Sequence, residues 1–174
     1  MALPLALPAC GVGSSPTPLP SASSGCTMTE RAVPNEGWMH VAEGTNVTYA
    51  ANPPASGPHY PVWLRYQAYT TPQARPYWVH NLEHGAVVLL HRPDAPAPGV
   101  TTLNETWRAL PNDPACGHSR ALLTPDSALP TPFAAVAANF ILQGECVDPQ
   151  AIAQFTSAHR NRAPEDICTS GTRP

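Results

Sequence analysis

The sequence contains no lysine, and its nine basic residues are arginines scattered along the chain. That excludes a P-loop lysine, a Schiff-base lysine and a lysine-rich face for phosphate. Without one massed basic patch, nucleic acid is not an expected partner. Charged residues make up only 12% of the chain and the net charge is −3, so no strong field of either sign points to a partner. No stretch approaches the roughly 20 apolar residues that a membrane-spanning helix needs. Among the five cysteines no pair has zinc-ribbon or thioredoxin spacing, which removes both motifs.

Proline, by contrast, is abundant, at 23 of 174 residues. Each proline fixes φ and removes an N–H donor, so the chain should be built of short elements between stiff loops. A hydrophobic content of 43% over this length suits a single core and a single domain.

Residues 1–29 differ from the rest. Met1 to Ala9 is short and apolar, and Leu7-Pro8-Ala9-Cys10 resembles a bacterial lipoprotein cleavage box with Cys10 as the lipidated residue. No Lys or Arg precedes that run, as one does in most signal peptides. Gly11 to Gly25 is rich in Ser, Pro, Thr and Gly, the composition of a flexible tether. The expected organisation is a signal-like segment and tether over 1–29, a globular domain over 30–168 and a disordered tail over 169–174. The chain is then exported to the periplasm or cell surface, touching a membrane only through lipid on Cys10. Cys26, Cys116, Cys146 and Cys168 remain for two structural disulfides in an oxidising compartment. Of three pairings, Cys26 with Cys168 and Cys116 with Cys146 are expected, each contributing about 2–4 kcal/mol by restricting the unfolded chain.

Asn46 to Tyr49 and Val62 to Tyr69 read as strands. Between them the prolines of Asn52-Pro53-Pro54-Ala55-Ser56-Gly57-Pro58-His59 make a loop stiff enough to hold His59 in one place. Ala86 to Leu90 is an unbroken apolar run, the signature of a strand buried on both faces. Thr102-Leu103-Asn104-Glu105 fits a capping box, opening a helix that Pro111 ends. Arg120 to Thr124 and Phe133 to Leu142 read as further strands, with the alanines of the second leaving a helix open there. Asp148-Pro149 is an N-cap followed by proline at the first helical position, opening a helix to about His159. The order predicts an α+β fold: a small, mostly antiparallel or mixed sheet, two short helices and proline-rich loops.

The chemistry concentrates in His80-Asn81-Leu82-Glu83-His84. This matches the H-x-x-E-H pattern of inverted zinc peptidases, in which i, i+4 histidines on a helix hold zinc and the glutamate acts on bound water. Gly85, the β-rich run after it, and Trp78 and Val79 before it favour an extended segment, with His80 and His84 on one side and Glu83 on the other. A metal site without hydrolysis fits that geometry better. His40 and His59 are the nearest further ligands, giving His40, His59, His80 and His84 as a set for copper or zinc. Met39 would add a soft axial ligand favouring copper. His91, His118 and His159 read as structural or solvated.

The block from Asn52 to His59, followed by Val79-His80-Asn81-Leu82-Glu83-His84-Gly85-Ala86-Val87-Val88, resembles the bacterial family catalogued as domain of unknown function 3105. Gly37-Trp38-Met39-His40-Val41 resembles its upstream histidine motif, and Ile152 to Pro164 its closing helix. The resemblance spans roughly residues 34–166. It implies an exported or membrane-anchored protein and marks His40, His59, His80, Glu83 and His84 as positions, without assigning them roles. Three readings follow. The first is an extracytoplasmic metal-binding domain. The second is a metal-dependent hydrolase with Glu83 as base. The third is an interaction module with a structural polar cluster and an aromatic surface at Trp63, Tyr66 and Trp78.

Overall fold

The computed structural model describes residues 17–173; the lipidation expected at Cys10 lies outside the described residues. Five strands, β1 (Thr29–Ala32), β2 (Val87–His91), β3 (Ala121–Pro125), β4 (Phe133–Ala137) and β5 (Phe140–Gly144), make one sheet in the order β1-β5-β4-β2-β3. Only β2 and β3 run parallel. Three helices, α1 (Arg75–Glu83), α2 (Ala97–Ala109) and α3 (Pro149–His159), complete an α+β fold with one helix more than the sequence predicts. A parallel pair needs a crossover connection, and α2 supplies it between β2 and β3.

The centre of the sheet is dry on both faces because β2 carries no polar residue before His91. Val88 and Leu90 pack with Trp78, Val79 and Leu82 of α1. Val87 and Leu89, on the alternate face, pack with Leu103 of α2 and with Ile152 and Phe155 of α3. The sheet is therefore a middle layer, with α1 and the proline-rich loops on one side and α2 and α3 on the other.

Several local expectations change. The run Phe133 to Leu142 is a hairpin rather than one strand, because Asn139 takes a left-handed φ of 65° in a two-residue turn. Asn46–Tyr49 forms no strand, and Val62–Tyr69 makes only isolated bridges at Leu64↔Arg173 and Ala68↔Leu123. At Leu64 the buried Asn81 amide bonds both the N–H and the C=O, at 3.0 and 2.9 Å, in the place of a strand neighbour. Helix α2 begins at Ala97, so Thr102 lies inside it, where its hydroxyl donates to Pro98 O at 3.0 Å rather than capping an end. Asp148 caps α3 as expected, accepting from the Gln150 and Ala151 amides.

The disulfides pair differently: Cys26 with Cys146 and Cys116 with Cys168. The register explains the first. Stepping three residues outward from the Thr29↔Gln143 pair of the β1–β5 ladder sets Cys26 opposite Cys146. The second ties the segment between α2 and β3 to the one after α3. The Gly171 and Arg173 amides donate to Leu64 O and Trp63 O at 3.2 and 3.3 Å.

Candidate metal centre

The H-x-x-E-H segment is helical, not extended. His80 to Glu83 form the last turn of α1 and His84 its C-cap. Pro76 sits in the first turn, where its fixed φ suits a helix and its missing N–H costs nothing. The helix stops at Gly85, whose φ of +79° only glycine adopts readily, and an added Cβ there would meet Asn161 Cα at 2.9 Å. Because every residue from Pro76 to Glu83 is buried, α1 has no polar face and so no amphipathic pattern to read.

His40 and His59 reach this helix through a short parallel bridge. The Val41 amide donates to His59 O at 2.8 Å and the His59 amide to Met39 O at 2.9 Å. Gly57, at a φ of +121°, packs against the Tyr49 ring and turns its carbonyl toward the His59 side chain. The three imidazole rings of His40, His59 and His80 then stand 4.8 Å apart, centroid to centroid, in all three pairings. Their Nε2 atoms lie 3.4, 3.0 and 3.8 Å from one atom, Glu83 Oε2.

Hydrogen bonds fix which nitrogen carries the proton. His59 Nδ1 faces Gly57 O at 2.9 Å and His80 Nδ1 faces Tyr60 O at 2.6 Å. A carbonyl only accepts, so both Nδ1 atoms are donors and, in the neutral rings, both Nε2 atoms present lone pairs. Those lone pairs face a carboxylate oxygen, an arrangement that requires a proton or a cation between them. Burial, reinforced by the neighbouring imidazoles against the opposing Tyr60 carbonyl bond, pushes His80 down to about 4. Burial, with His59, His40 and Arg120, pushes His84 down to about 4 as well. Both are neutral at pH 7.

His84 stands beside this set rather than in it. Its Nε2 lies 3.1 Å from His80 Nε2 and 3.2 Å from Glu165 Oε2, and its buried Nδ1 has no partner. The Trp63 ring covers His80 and His84 at 4.9 and 4.5 Å, and its Nε1 donates to Thr169 O. The donors fall into two sets sharing Glu83: His40, His59, His80 and Glu83, and Glu83, His84 and Glu165. Either set could hold a metal ion. Met39, the expected soft ligand, is 63% exposed at the surface, as alternation about His40 dictates. Of the expected aromatic surface, Trp78 is fully buried, while Trp63 and Tyr66 are half-buried. His91, His118 and His159 bond to Arg92 O, Cys168 O and Glu30 Oε1, away from the cluster.

A profile of the family described as a protein of unknown function, DUF3105, matches residues 40–171. The chain belongs to this family. No curated protein and no solved structure matches it. The DUF3105 match takes in every donor of both sets.

Sequence reasoning missed two parts of this DUF3105 site. One is Glu165, 81 residues after His84; only Pro164, which disfavours a helical residue before it, hinted at it. The other is the support beneath His84. Fully buried Arg120 donates to His84 O at 3.1 Å, pairs with Asp113 and Asp166, and touches the sulfurs of both Cys116 and Cys168.

Proposed function

We propose that this domain binds a transition metal ion through Nε2 of His40, His59 and His80 and a carboxylate oxygen of Glu83, and that it does so outside the cytoplasm. The observation that carries the reading is the pair of backbone carbonyls holding His59 and His80 with their lone pairs inward. Metal-ligating histidines are ordinarily oriented by such a partner on the other ring nitrogen. Separations of 3.0 to 3.8 Å around Glu83 Oε2 suit ligands about 2.0–2.1 Å from one tetrahedral ion. Three nitrogens and an oxygen, with no sulfur, favour zinc over copper(I). Of the imidazoles only His40 is half-exposed, at 51% of its side chain, so the ion would enter and leave past it. Two disulfides fit an oxidising compartment, and among the described residues no helix is long and apolar enough to cross a membrane. Storage, delivery or sensing of the ion are the roles such a centre suits, and lipid on Cys10 would anchor it.

Hydrolysis is the second reading, favoured by His80 and His84 sharing a helical face. Against it, Glu83 Oε2 is already engaged by three imidazoles and is poorly placed to act on water. Elemental analysis of protein prepared without a histidine tag tests the binding reading. At least one zinc per chain is expected, lost in His59→Ala and His80→Ala; protein that neither carries nor takes up metal overturns it. Glu83→Gln separates the two readings, since loss of a ligating carboxylate weakens zinc binding whereas loss of a base spares binding and stops turnover.

A further inference from the structure

The second donor set makes the centre dinuclear: we propose that Glu83, His84 and Glu165 hold a second divalent transition ion, with the Glu83 carboxylate bridging the two. This rests on the first site being a metal site and extends it. Glu83 Oε2 faces His40, His59 and His80, while Oε1 takes part in none of those contacts. On the other flank His84 Nε2 and Glu165 Oε2 stand 3.2 Å apart, and the three groups lie within 4.8 Å of one another. His80 Nε2 and His84 Nε2, 3.1 Å apart, are then neighbours on adjacent ions rather than competitors for one. Two-metal sites space their ions by about 3.5–4 Å, a gap that a carboxylate with one oxygen on each spans.

Glu165 is held there by its surroundings, although its side chain is 48% exposed. Its amide donates to Glu83 O at 3.0 Å, Asp166 pairs with buried Arg120, and Cys168 is bonded to Cys116. A half-exposed carboxylate so tethered leaves the second ion open to solvent. The two ions are not equivalent. His59 and His80 each have a carbonyl on Nδ1, whereas His84 has none. A missing partner of that kind ordinarily costs about 10–100-fold in affinity, so the second ion is the weaker by that factor.

The experiment is titration of metal-free protein with Zn(II), followed by Co(II) with electron paramagnetic resonance. Two equivalents should bind, the second about 10–100-fold more weakly, and two Co(II) ions should show exchange coupling. Glu165→Gln, at an exposed position, should remove the second equivalent and the coupling while sparing the first, and His84→Gln should do the same. One equivalent in the wild type, or two uncoupled ions indifferent to Glu165→Gln, overturns the second site and leaves the first standing. No equivalent at all overturns both.

Discussion

His80 and His84 each sit where the charged imidazolium is disfavoured, and this has a thermodynamic consequence. Their folded pKa values near 4 lie below the unfolded value near 6.5. Between those limits the unfolded chain holds more protons, so stability rises with pH there, is fully present above 6.5 and is lost as pH falls toward 4. Metal-free protein should lose on the order of 3 kcal/mol per ring between pH 7 and pH 4, read from urea midpoints at several pH values. A flat profile would show that neither ring is kept neutral. At Gly85 the backbone is the constraint. Gly85→Ala meets both a left-handed φ and the Asn161 backbone, and should cost about 1–3 kcal/mol in thermal or urea unfolding.

Helix α1 is the element on which the centre depends, and its least tolerant position is Asn81, because one amide serves two backbone groups of Leu64. Asn81→Ala strands the buried Leu64 N–H and leaves Leu64 O with the Gly171 amide alone, and should destabilise by about 1–3 kcal/mol; a loss below about 1 kcal/mol would show that water replaces the amide. The sequence predicted β2, β3 and α3 close to their actual bounds because each carries its own signal: an apolar run, or an aspartate-proline start. Helix α1 carries none. Trp78 and Val79 prefer strands, and burial on every side erases the periodicity that would reveal a helix. Yet the histidines it presents were identifiable, since the motif depends on residue types and spacing rather than on conformation.

At the scale of the molecule, two cross-links act on different parts. Cys26–Cys146 prolongs the β1–β5 ladder, and Cys116–Cys168 encloses the buried Arg120 that supports His84. Removing the second by Cys116→Ser with Cys168→Ser should cost about 2–4 kcal/mol and raise hydrogen exchange in residues 111–120 and 163–168. Zinc at His40, His59 and His80 should persist in that variant while binding at Glu165 weakens; equal loss at both would mean that the bond supports the whole centre. The pairing was out of reach of the sequence because it follows from strand register and from Arg120, neither of which exists until the chain is folded. Glu165 was hidden for the same reason.

The order of the donors along the chain also has a consequence in time. Every donor of the larger set lies between residues 40 and 83, so a chain growing from its N-terminus exposes all four before β2 to β5 exist to enclose them. Glu165 is synthesised only after every strand and α3. The half-exposed donor on each flank, His40 and Glu165, is thus the first and the last residue of the two sets to be made.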